Sequence, residues 1–184
     1  MSRDWQAWHA QYDDPESGLS QRLVVVRDQL AAVLRGRSHT ARVISMCAGD
    51  GRDVLPVLAE VAPGVEALLV ELDPVLADRA QRTALELRLE HVIVLNEDAG
   101  TTNTYRGCVP ADVVLACGVF GNISDADLER TVRGLRTMLS DDGHVIWTRG
   151  ANVPADPTAH PGDPAEQVRH VFAKTEQYRL GVAD

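Results

Sequence analysis

The chain has 184 residues, 45% of them hydrophobic, and a formal net charge of −9. That length fits one domain, and the apolar fraction suffices for a single buried core. The acidic balance, with no run of five or more Lys or Arg, argues against nonspecific binding to nucleic acid or to an anionic membrane surface.

In chain order, residues 5–11 read as a short aromatic helix, broken by Asp13-Asp14-Pro15. Trp5, Trp8, His9 and Tyr12 cluster there in a chain with only 4% aromatics. The cluster reads either as packing on a sheet edge or as a lid over a ligand site, with Tyr12 or His9 turned inward. A second helix is predicted over 20–34, because Leu23, Val26, Leu30 and Leu34 recur at three- and four-residue spacing. Strands are expected over 42–46, 67–71, 92–96, 112–117 and 144–148, alternating with helices over 52–60, 75–88 and 125–139. Ser124 with Asp127 is a helix-start signal. After a loop over 151–164, a helix over 165–174 and a strand-like 177–182 close the chain. This alternation predicts an α/β fold with a doubly wound, mostly parallel sheet.

No apolar stretch reaches the ~20 residues that span a bilayer. The opening residues Met1-Ser2-Arg3-Asp4-Trp5-Gln6 lack the apolar segment of a secretory signal. Cys47, Cys108 and Cys117 have no CxxC spacing, so neither a disulfide framework nor a metal site is expected, and a cytoplasmic location is.

The chemistry gathers at three predicted strand ends. The run Val43, Ile44, Met46 stops at Cys47-Ala48-Gly49-Asp50-Gly51 and a helix follows. A buried strand feeding a glycine turn and then a helix holds nucleotide-like ligands at the carboxyl edge of a parallel sheet. Glu71 stands about 20 residues beyond Gly51, the spacing at which a carboxylate accepts hydrogen bonds from ribose hydroxyls. The third run ends in Asn96-Glu97-Asp98-Ala99, where a carboxylate can reach an adenine amine. A dinucleotide reading would require a third glycine at Val54. Asp50 and Asp53, only partly offset by Arg52, also suit a cationic or zwitterionic ligand portion better than two phosphates.

These segments resemble class I S-adenosylmethionine-dependent methyltransferases. Val43 to Gly51 resembles the family's first motif, and Val70-Glu71-Leu72-Asp73-Pro74 its acidic second-strand motif. Glu97-Asp98-Ala99 resembles the third, Asp112 to Gly118 the fourth strand, and Leu139 to Ile146 the turn into the fifth. The resemblance covers roughly Arg37 to Arg149. It implies S-adenosyl-L-methionine as cofactor, held by Cys47, Ala48, Gly49, Asp50, Gly51, Glu71, Leu72, Asp98, Ala99, Cys117 and Gly118. Two positions depart from the family: Ser45 replaces an acidic residue that helps seat the methionine portion, and Cys47 replaces a glycine. Asp50 or Asp53 is the substitute within reach of that acid's role.

The resemblance places the acceptor site after the fourth strand, at Cys117-Gly118-Val119-Phe120-Gly121-Asn122-Ile123. The Asn- or Asp-Pro-Pro-aromatic motif of enzymes that methylate base or amide nitrogens is absent there. A small-molecule acceptor is therefore expected, with no nucleic-acid and no membrane partner. Tyr12, His9 and Asn122 are the candidate catalytic residues. Phe120 and Ile123 read equally as core. Trp147 and Arg149, at the end of the fifth strand, are candidates to line the acceptor side, although Trp147 reads rather as core, whereas His144 begins the strand and reads as structural. His160 and His170, in or after the late loop, are assigned no role.

A single domain over 1–184 is expected, with a helical cap over 1–36 and a cofactor-binding core over 37–184. The family's closing antiparallel strand pair is incomplete, and the edge this leaves makes a homodimer an expectation. Two other readings stay open: a cofactor-binding domain without turnover, and another nucleotide-cofactor enzyme on the same scaffold.

Overall fold

The computed structural model describes residues 5–37, 40–148 and 179–182. Its apolar runs form six strands: β1 (Arg42–Met46), β2 (Glu66–Val70), β3 (Val92–Leu95), β4 (Ala111–Cys117), β5 (Leu139–Thr148) and β6 (Arg179–Val182). They make one sheet in the order β3-β2-β1-β4-β5-β6, and each neighbouring pair is parallel. The direction of winding reverses between β1 and β4. A crevice opens outside the carboxyl ends of the strands at such a switch point.

Alternation along each strand splits the core in two. Val43, Leu69, Val113, Leu115 and Ile146 face one side and pack with Leu30, Leu34, Leu55 and Leu58. These last come from α2 (Gly18–Arg35) and α3 (Leu55–Val61), and α4 (Pro74–Glu86) adds Ala80 and Ala84. Ile44, Leu68, Val70, Val114 and Val145 face the other side, against Leu128, Val132 and Leu135 of α5 (Asp125–Met138). Burial on both faces explains why the central strands read as continuous apolar runs.

Local chemistry sets the helix starts. Asp73 caps α4, its Oδ1 accepting the Val75 and Leu76 amides at 2.8 and 3.1 Å. Ser124 caps α5 through the Asp127 amide at 3.2 Å. The helix expected from residue 52 begins at Leu55 instead, because 51–54 remain a turn and Pro56 occupies the first helical turn.

The strand expected from residue 144 begins at Leu139, immediately after α5. Its pairing with β4 shifts register between Ala111 and Val113. At Gly143 a Cβ would lie 2.8 Å from the Leu139 side chain and 3.0 Å from the Ala111 carbonyl oxygen, so glycine lets the irregular stretch pass.

The closing strand β6 pairs with β5 in parallel, where the resemblance implies an antiparallel pair. The intervening residues 149–178 exceed the dozen or so that a parallel crossover requires. Arg149, His160, His170 and the helix expected over 165–174 lie outside the described residues.

The amino edge of the sheet is clamped by Arg37. Its Nη1 donates to Asp112 Oδ1 at 2.7 Å, and its Nη2 lies 2.9 Å from His144 Nδ1. Asp112 Oδ2 also accepts the Arg42 amide at 2.9 Å. His144 is thus structural, as expected, and stands at the opposite edge from the crevice. Among the described residues no helix is long and apolar enough to cross a membrane.

Candidate functional site

The turn after β1 is a run of left-handed backbone. Cys47, Gly49 and Gly51 have φ of 51°, 58° and 73°. Glycine meets this demand without strain, whereas Cys47 carries a Cβ in a conformation that disfavours one. The two glycines serve different ends. A Cβ on Gly51 would lie 2.6 Å from Leu55 Cδ1 and 3.1 Å from Leu69 Cδ2, so Gly51 lets α3 close onto the sheet. A Cβ on Gly49 would lie 2.4 Å from His9 Cε1, so Gly49 faces the crevice and the N-terminal segment.

Glu71 ties this turn to the end of β2. It is buried, its Oε2 accepts the Gly49 amide at 2.8 Å, and its Oε1 accepts the Asp73 amide at 2.8 Å. Each carboxylate oxygen has a second lone pair with which to accept a ligand hydroxyl. Leu72 follows it, 67% exposed and apolar beside the crevice.

Asn96 was not anticipated as part of this frame. Its Nδ2 donates to the carbonyls of Glu71 and Leu72 at 2.9 and 2.8 Å, which fixes the β2 loop against the end of β3. Its position just before an acidic pair was the available signal. Asp98 is exposed, and its Oδ1 accepts the Gly100 amide at 2.8 Å. Ala99 is buried, and its carbonyl accepts from Tyr105 Oη at 2.6 Å. Cys47 is exposed as a residue, yet partial burial of its thiol, then the charges of Glu71 and Asp98, push the thiol up to about 11. The three strand ends therefore share one electrostatic environment.

At the end of β4, Gly118 also has positive φ, 74°. Its amide donates to Thr148 Oγ1 at 3.0 Å, another partner the sequence did not announce. Burial, then the charge of Asp53, raises the pKa of Cys117. Asn122 is exposed and donates from Nδ2 to the Gly118 carbonyl at 2.5 Å, as a turn residue does. Phe120 is core, and its ring lies 5.7 Å from that of Trp147.

The N-terminal segment lies across this edge. It comprises α1 (Trp5–His9) and a 3-10 turn, Ala10–Asp13. Trp8 Cη2 would be 3.9 Å from a Cβ on Gly118. Trp8, His9 and Tyr12 form a ring cluster with centroids 5.4–5.7 Å apart. The Arg52 guanidinium stands 4.6 Å from the Tyr12 ring centroid, and Arg22 donates to Tyr12 Oη at 3.4 Å.

Burial, then the Arg52 and Arg79 charges, outweighs Asp50 and Glu71 and lowers the pKa of His9, so its ring is neutral at pH 7. Its Nδ1 is buried without a hydrogen-bond partner, 3.9 Å from Asp50 Oδ1. The structure thus brings together His9, Tyr12, the glycine turn, Glu71, Asp98 and Gly118, and assigns Asn122 to the loop.

A family model described as a methyltransferase domain matches residues 45–145. Solved structures share the fold at low identity. One is PKMT2 from Rickettsia typhi in complex with AdoHcy, at TM-score 0.53 and 18% identity, covering 65% of this chain and 23% of that one. A second is a SAM-dependent methyltransferase from Thiobacillus denitrificans in complex with S-adenosyl-L-homocysteine, at 0.57 and 19%, covering 79% and 54%. A third is a putative rRNA-methylase from Clostridium thermocellum, at 0.58 and 13%, covering 82% and 80%. The chain thus spans under a quarter of the first and about half of the second. No curated protein matches.

Proposed function

The chain belongs to the methyltransferase-domain family, whose cofactor is S-adenosylmethionine, and we propose that it methylates a small-molecule acceptor by direct in-line displacement. The observation that carries this reading is Glu71. One buried carboxylate joins the glycine turn after β1 to the end of β2 and keeps lone pairs for a ligand diol. The residues fit the cofactor in kind: Gly49 without a side chain on the crevice side, an acid for the ribose, Leu72 as apolar shelf and Asp98 for the adenine amine.

When bound, the cofactor supplies an electrophilic methyl group on a sulfonium. The protein then has to orient the acceptor and exclude water. Well-oriented intramolecular reactions reach effective molarities of about 10⁵–10⁸ M. The N-terminal segment serves as the wall that excludes water, with Trp8 against Gly118 and His9 against Gly49. Where the acceptor must lose a proton, neutral His9, with Nδ1 unpartnered, is the group able to take it. Tyr12 shapes the wall.

The covered edge and the net charge of −9 favour a small acceptor over a nucleic acid. The putative rRNA-methylase among the structural neighbours makes RNA the second reading. Calorimetry with S-adenosylhomocysteine, followed by methyl-transfer assays on a metabolite panel and on RNA, tests both. Binding without transfer to any acceptor would favour a domain that holds cofactor without turnover.

A further inference from the structure

Ser45 lies near the carboxyl end of β1 at 1% exposure, paired with Leu69 and Leu115. The acid that the resemblance implies there is missing. Two carboxylates follow in the adjoining turn, and the structure distinguishes them. Asp50 is committed: Arg52 Nε donates to its Oδ1 and Oδ2 at 2.8 and 3.0 Å. Asp53 is committed on one side only: the backbone amides of Asp53 and Val54 reach its carboxylate, while its Oδ1 is buried with no hydrogen-bond partner. Arg27, a cation whose charge reaches Asp53, directs Nε and Nη2 to the Arg52 carbonyl at 2.8 and 2.5 Å instead.

We propose that Asp53 replaces the acid missing at Ser45 and receives the α-ammonium of the cofactor's methionine portion. The inference rests on the cofactor reading above. The position of Asp53 suits this contact: it lies in the turn between β1 and α3, at the switch point, next to Arg52, whose guanidinium stands 4.6 Å from the Tyr12 ring of the N-terminal wall. A buried carboxylate oxygen without a donor is costly, and an ammonium brings three donors and the opposite charge. Burial pushes the Asp53 carboxyl up to about 6, as expected of an acid whose cationic partner is supplied by a ligand.

The test compares two ligands by calorimetry: S-adenosylhomocysteine, and its analogue with hydrogen in place of the α-amino group. The native protein should prefer the amine by about tenfold or more, the range of a hydrogen bond to a charged group. Asp53→Asn should bind both alike. Asp50→Asn should keep the native preference, whatever its overall affinity.

A preference retained in Asp53→Asn, one lost in Asp50→Asn, or none in the native protein overturns the assignment while the cofactor reading stands. Absence of binding to either ligand by the native protein overturns both. Circular dichroism checks folding, and Asp53→Ser takes the place of Asp53→Asn if the latter does not fold.

Discussion

In the proposed function Glu71 does two jobs with one carboxylate, and mutation should separate them. Glu71→Ala strands the Gly49 and Asp73 amides as well as removing the ribose acceptor. It should cost about 1–3 kcal/mol of folding stability and weaken S-adenosylhomocysteine by about tenfold or more. Denaturant titration and calorimetry measure the two losses, and unchanged affinity in the folded variant would remove Glu71 from the site.

Asp53 carries a pH signature of its own. Its folded pKa of about 6 lies above the ordinary 3.8, so the folded state holds the extra proton between those values. Its burden on stability is absent below about pH 4, grows as pH rises to 6 and is full above it, on the order of 3 kcal/mol. Asp53→Asn should therefore raise stability at pH 7.5 and leave it near native at pH 4. Asp50, Arg27, Tyr12 and Cys117 surround the group in both proteins, so the difference curve isolates Asp53.

At this scale the sequence was informative about spacing and silent about partners. The strand-end placement of Glu71 and Asp98 follows from position. The backbone amides on Glu71, the Arg52 grip on Asp50 and the Asn96 clamp depend on turn geometry that no spacing encodes. Gly51 shows the same limit: it reads as a ligand approach but lets α3 pack on the sheet.

The N-terminal segment is the element whose role most depends on its surroundings. A five-residue helix followed by a 3-10 turn is too short to be stable alone. It is held by ring contacts, by Arg22 and Arg52 against its aromatic rings, and by His9 on Gly49. As a lid, it should exchange amide hydrogens quickly without ligand and slowly with S-adenosylmethionine bound. Deleting residues up to Asp14 should leave a folded core and reduce turnover more than cofactor affinity. Exchange that ignores the ligand, with stability lost on deletion, would make the segment packing alone.

Its aromatic cluster and the Asp13-Asp14-Pro15 break were legible in the sequence. The edge it covers was not, because that depends on α2 folding back over the same face of the sheet. Helix starts divided likewise: Ser124 caps α5 as read, whereas the turn over 51–54 delays α3, since packing at Gly51 overrides the helical preference of the residues that follow.

For the whole molecule, the proposed cofactor site and the Arg37 clamp sit at opposite edges of one sheet. The carboxyl edge gathers the glycine turn, Glu71, Asp98 and Gly118 at the switch point, while the amino edge is closed by Arg37 with Asp112 and His144. The strand alternation and the order of five motifs made this architecture readable, because buried parallel strands leave uninterrupted apolar runs. The division of labour predicts how ligand and mutation combine in a melting experiment. S-adenosylhomocysteine at 100 times its Kd should add about 2.7 kcal/mol, which in a protein of this size raises Tm by about 5–10 °C. NAD should leave Tm unchanged, given Val54 in place of the third glycine and the acidic turn. Gly49→Val should abolish the ligand-induced rise, since its side chain projects into the crevice from a backbone at positive φ. Arg37→Ala should do the reverse: lower Tm without ligand, by breaking the amino-edge clamp, yet keep the full rise on binding. A rise that vanished in Arg37→Ala but survived in Gly49→Val would place the ligand at the wrong edge of the sheet.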